Sequence, residues 1–87
     1  MLEIKIGKVY RHFKGNYYFV ENIAYDSETT EPLVVYRPIY DRNDEKNLWV
    51  RPLSMFSSKI DVNRPDNKFS QEYRFTLCED LAQDYIK

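Results

Sequence analysis

The chain has 87 residues and a mass of 10.6 kDa, enough for one domain. Its composition, 43% hydrophobic and 31% charged, excludes a disordered tail, a collagen-like chain and a membrane span. A net charge of -1 gives no global attraction to nucleic acid or anionic lipid, and two glycines leave no glycine-rich phosphate loop.

A folded chain of this mass exposes roughly 5,500 of about 15,000 Å², which permits a modest core without staples. Residues 8–13 are rich in β-formers and end at Lys14-Gly15-Asn16, a tight-turn composition. Residues 17–25 follow, dense in Tyr, Phe, Val and Ile. The polar stretch 26–31 then turns the chain, and Pro32 opens the strand 33–39. These pairs predict two hairpins and an antiparallel meander.

Residues 41–47 are charged or polar throughout and predict a surface loop. A short strand over 48–51 stops at Pro52, which suits the first position of a single helical turn over 53–56. Residues 59–62 return to strand, 63–68 are polar, and 69–75 make a last strand. Thr76-Leu77-Cys78-Glu79 matches a capping box. Leu77, Leu81 and Tyr85 continue as an apolar stripe, so a short helix is expected over 77–86, docked on the sheet or on a partner. Five or six short strands and one short helix predict a mainly β fold, a strongly bent antiparallel sheet or small barrel. No internal repeat is visible.

Charge is unevenly spread. Residues 1–25 carry four basic and two acidic side chains, and residues 48–75 carry five and three, so each region sums to +2. The intervening and final regions are acidic, which leaves room for a small basic face. Cys78 is the only cysteine, so an internal disulfide is excluded and a reducing cytoplasm is expected. The opening residues hold no apolar run suited to a signal peptide.

His12 is the only histidine, flanked by Arg11 and Lys14. Cationic neighbours lower an imidazole pKa rather than poise it as a base, and a structural strand-end role is favoured. One His and one Cys far apart supply no metal ligand set, and no nucleophile elbow surrounds any Ser. The acidic run over 41–45 lacks calcium-loop spacing. Neither metal nor cofactor is expected.

The informative cluster is aromatic and basic. Alternation in Leu48-Trp49-Val50-Arg51 places Leu48 and Val50 on one face and Trp49 and Arg51 on the other. With Leu48 and Val50 facing the core, Trp49 and Arg51 are presented outward together. Arg37 and Tyr40 end the preceding strand, and Tyr10, His12, Tyr17 and Tyr25 are candidates for the same outer surface. Trp, Tyr and Arg are enriched at interface hot spots and also stack single-stranded bases. The competing reading places most of the tyrosines in the wall of a small barrel.

Three segments carry a resemblance: Tyr10-Arg11-His12-Phe13-Lys14-Gly15 with Tyr18 and Val20, then Val34-Val35-Tyr36-Arg37, then Trp49-Val50-Arg51-Pro52 with Met55 and Phe56. In order and spacing over residues 7–62 they resemble a small bacterial family, domain of unknown function 1653. The resemblance implies an SH3-like β-barrel with no established activity or cofactor, residues 63–87 forming a C-terminal extension. This chain has Asp26-Ser27-Glu28 where members often carry His-Ser-Glu. The motif positions Tyr10, His12, Lys14, Gly15, Tyr36, Trp49 and Arg51 are the candidates for a common site.

The function expected from these readings is a non-enzymatic binding module that engages a protein segment or small ligand. Its candidate binding residues are Tyr10, His12, Lys14, Tyr36, Arg37, Tyr40, Trp49 and Arg51, and replacing Trp49 and Arg51 by Ala should leave stability nearly intact. Single-stranded RNA or nucleotide binding on the same surface is the alternative, and an enzyme using His12 is the third. No membrane partner is expected.

Overall fold

The computed structural model describes residues 4–39 and 47–78. The first four β-rich runs become strands, β1 (Val9–His12), β2 (Tyr17–Tyr25), β3 (Pro32–Pro38) and β4 (Trp49–Pro52), and β5 (Phe75–Leu77) begins where the last expected strand was to end. They pair antiparallel in the order β4-β3-β2-β1-β5, so the fold is mainly β, and the two hairpins are as expected. The β1–β2 turn needs a residue at positive φ, and Gly15 supplies it at φ 110°. In the β2–β3 turn the Asp26 carboxylate accepts the backbone N–H groups of Glu28 and Thr29 at 2.8 and 3.0 Å, an Asx turn. Those two bonds also hold the Asp26 carboxyl below its usual pKa.

Edge strands β4 and β5 have no ladder between them among the described residues, so the sheet is not closed into a barrel. It is nevertheless strongly curled. Four strand spacings separate β4 from β5, about 19 Å in a flat sheet. Yet the Arg51 guanidinium of β4 lies 5.5 Å from the ring centroid of Phe75 in β5. A bulge between Val20 and Asn22 adds bend, and it keeps Val20 and Ile23 opposite Tyr36 and Val34 on one face.

The inner face of this curl holds the core. Tyr10, Tyr18, Val20, Val34, Tyr36, Phe56 and Phe75 are buried there, with Ile4, Ile23, Trp49, Leu53 and Leu77 packed at its margin. The helical turn α1 (Leu53–Phe56) follows Pro52 as expected, and its product is the placement of Phe56. That ring stacks on Phe75 at 3.9 Å with an interplanar angle of 2°.

From Ser57 to Arg74 the chain is mostly irregular. One isolated bridge, Lys59 with Tyr73, is what remains of the strands expected over 59–62 and 69–75. Buried polar side chains organise this segment instead. Asn67 donates to the carbonyls of Asp61 and Gln71 and accepts the Gln71 backbone N–H. Gln71 in turn donates to the carbonyls of Arg11 and Tyr73. Such fully used amides replace a ladder, because each satisfies backbone groups that would otherwise be buried without partners.

Thr76 and Leu77 lie in β5 opposite Arg11 and Tyr10, so the capping box at Thr76 does not open a helix there. Thr76 uses extended backbone to cover the free edge of β1, a larger gain than one capped turn. The rest of the expected C-terminal helix, Tyr40 and residues 41–46 lie outside the described residues. No helix among the described residues is long and apolar enough to cross a membrane.

Candidate binding site on the inner face

The faces of β4 are the reverse of the expected ones. Leu48 and Val50 are 61% exposed, while Trp49 and Arg51 point inward. Register decides this: Trp49 lies opposite the buried Tyr36 and Arg51 opposite the buried Val34. The Trp49 ring meets Tyr36 edge-on at 6.0 Å and Tyr18 at 5.8 Å. Indole carries more apolar area than either neighbour, and the Arg stem packs as well as an aliphatic side chain while its head stays at the rim. Trp49 and Arg51 do stay together, on the concave side.

The other candidates separate. Tyr10 and Tyr36 are buried core residues rather than a contact surface, with the Tyr10 hydroxyl accepting the Lys5 backbone N–H at 2.9 Å. Arg37 lies on the convex side, paired with Glu21 and 4.8 Å from the Phe19 ring centroid. Of the outer-surface candidates, Tyr25 is exposed at the end of β2 and Tyr17 sits opposite Arg11. Lys14 is exposed in the turn, close to His12.

His12 belongs to the inner group. It faces Phe75 across the β1–β5 ladder, with ring centroids 4.9 Å apart, and also contacts Phe13 and Tyr18. Its Nδ1 accepts the Lys14 backbone N–H at 3.2 Å, which places the imidazole proton on Nε2. Burial, then the charges of Arg51, Arg74 and Lys14, push its pKa down to about 4, with Asp66 opposing weakly. The imidazole is therefore neutral at pH 7. The sequence correctly suggested cationic lowering, but Arg11 is not among its sources: that side chain faces away, donating to Gln71 and lying 3.8 Å over Phe69.

Arg74 completes the group, and sequence reasoning missed it. It immediately precedes β5, its Nε donates to the Ser58 hydroxyl at 3.2 Å, and its backbone N–H donates to the Ser58 carbonyl. Burial lowers its pKa, as do the charges of Arg51 and Arg64, while Tyr36 opposes. The signal available was Tyr73-Arg74-Phe75, a cation between two aromatics.

Arg51 and Arg74 are thus two half-buried guanidinium groups close enough to repel. Neither has a carboxylate partner among the described residues. Asp66, the acid acting on His12, is already taken by a two-pronged pair with Arg64 at 2.9 and 3.0 Å. The result is a cationic rim over an aromatic floor of Tyr18, Tyr36, Trp49 and Phe75, with one neutral imidazole N–H beside it. Such a rim can accept oxyanions through charge-assisted hydrogen bonds. No group of His, Cys, Asp and Glu among the described residues is arranged to hold a metal ion.

The sequence model of a protein family of unknown function (DUF1653) matches residues 8–77, from the start of β1 through β5. That span contains His12, Trp49, Arg51 and Arg74. No curated protein matches the chain. A crystal structure of a DUF1653 protein from Bordetella bronchiseptica is similar, with a TM-score of 0.68 and 28% identity over 85% of this chain and 86% of that one. The curled sheet, and the motifs that run along it, identify this chain as a member of the DUF1653 family.

Proposed function

We propose that the protein is a non-enzymatic, cytoplasmic binding module that holds an acidic group of a protein segment or small ligand at the inner-face rim. Arg51 and Arg74 supply the charge, His12 an N–H donor, and Trp49 the flat apolar contact. The observation that carries this reading is a pair of cations without a carboxylate partner among the described residues. Two half-buried like charges without a counter-ion cost folding free energy, and a bound anion offsets that cost. His12 suits a donor better than a base, because Nδ1 is already occupied and the pKa lies near 4.

Single-stranded nucleic acid shares the same chemistry of stacking and cation, and the pairing of Trp49 with Arg51 favours it. A net charge of -1 weighs against a long polyanion track. Retention of ligands from native lysate on immobilised wild type, compared with Arg51→Gln, tests the proposal. Acidic ligands should be retained by the wild type alone. Equal retention by the variant would remove Arg51 from the site. Single-stranded oligomers that bind with a steep salt dependence would favour the nucleic-acid reading.

A further inference from the structure

We infer that the group held at this rim is a phosphate dianion, free or as a monoester; the inference rests on the binding reading above and names its ligand. The donors arrive from three separate stretches of chain and meet about His12, whose ring touches both Phe75, beside Arg51, and Phe13, with the Arg74 guanidinium 5.8 Å from the Phe13 centroid. Arg51 comes from β4, with its guanidinium 5.5 Å from the Phe75 centroid. His12 comes from β1, with its ring 4.9 Å from the same centroid. Arg74 is the residue before Phe75 and is anchored by Nε on Ser58, which leaves its terminal nitrogens for a ligand.

Charge, donor number and donor type all select this ligand class. Two guanidinium groups without acids, among the described residues, are neutralised by a dianion and only half neutralised by a carboxylate. A phosphate monoester carries a charge of about -1.5 to -2 at pH 7 and three terminal oxygens, one for each donor. A carboxylate has two. Guanidinium forks match phosphate geometry two bonds at a time, and the neutral imidazole contributes an N–H without adding a third repelling charge. Among the described residues the charged groups acting on His12 are Arg51, Arg74, Lys14 and Asp66, and Asp66 is engaged by Arg64. Trp49, at the margin of the core, is the only tryptophan in the chain.

Phenyl phosphate and benzoate form a matched pair, one ring carrying either a phosphate monoester or a carboxylate. Binding is read from Trp49 fluorescence and from the ring C–H resonances of His12, the only histidine. Phenyl phosphate should bind at least tenfold more tightly than benzoate and move the His12 resonances. Its affinity should fall below pH 6, where the second phosphate ionisation reverses. Arg51→Gln and Arg74→Gln should each weaken it at least tenfold, and Arg37→Gln on the opposite face should not. Circular dichroism establishes that each variant is folded, and Arg51→Lys, which keeps charge but loses the fork, should weaken binding to an intermediate degree. Inorganic phosphate distinguishes the two sources: equal affinity identifies a free-anion site, and weaker affinity an ester site. Equal binding of benzoate through Arg51 would overturn the phosphate assignment and leave the acidic-group reading standing. No response to either phosphate by folded wild-type protein would overturn the inference.

Discussion

The two faces of the sheet use arginine over aromatic rings in opposite ways. On the convex side Arg37 lies over Phe19 and is paired with Glu21, and Arg11 lies over Phe69 and donates to Gln71. On the concave side Arg51 lies over Phe75 with no hydrogen-bond or ion-pair partner among the described residues. Arg74 there donates to the Ser58 hydroxyl, lies 5.8 Å from the Phe13 ring centroid and is repelled by Arg51 and Arg64. The outer arginines are finished structural contacts. The inner ones have no carboxylate partner among the described residues, and on the proposed reading a bound anion would complete them.

Removing the floor of the inner face should have the largest effect. Phe75 is 3% exposed and stacked on Phe56, so Phe75→Ala should cost about 3–5 kcal/mol in denaturant unfolding. Trp49→Ala should cost about 2 kcal/mol, less than a fully buried aromatic because the indole sits at the margin of the core. This replaces the sequence expectation that Trp49 could be removed without loss. A loss below about 0.5 kcal/mol would place the indole outside the packed structure.

The acid dependence of stability isolates the inner face without deleting it. His12 has a folded pKa of about 4 against an ordinary value of 6.5. The unfolded chain therefore takes up a proton at higher pH than the folded one. The contribution is fully present above pH 6.5 and is lost progressively as pH falls toward about 4. His12→Phe should flatten the stability profile in that window, leaving only carboxylate titration below it. An unchanged slope would show that His12 is accessible in the folded state.

The smallest effects differ in sign between the faces. Arg37→Gln removes an exposed pair and should cost about 0.5 kcal/mol. Arg51→Gln relieves repulsion from Arg74, and it should leave stability unchanged or raise it by about 0.5 kcal/mol. Equal losses at both positions, measured by urea midpoints at constant slope, would break the distinction.

The strands were legible because their apolar spacing and turn residues agree, as at Lys14-Gly15-Asn16 and at Pro52 before the turn that places Phe56. The face of β4 was not. Alternation in Leu48-Trp49-Val50-Arg51 separates two pairs without saying which pair is inside, and that choice depends on cross-strand partners Tyr36 and Val34. Those partners are themselves set by the bulge near Glu21 in β2, which no local pattern announces. The segment before β5 was illegible for a different reason. Asn67 and Gln71 organise it through buried hydrogen bonds to backbone, and polar residues read as exposed when only their type is known. Arg74 went unnoticed as a consequence, since its role depends on that segment delivering it beside Arg51.

An NMR pH titration of the His12 ring, in wild type and in Arg51→Gln and Arg74→Gln, tests the central claim most directly. The account predicts a wild-type pKa of about 4 and a measurable rise toward 6.5 in each variant, larger when both are combined. A pKa near 6.5 in the wild type, or one that neither substitution moves, would contradict a cationic inner rim built around that imidazole.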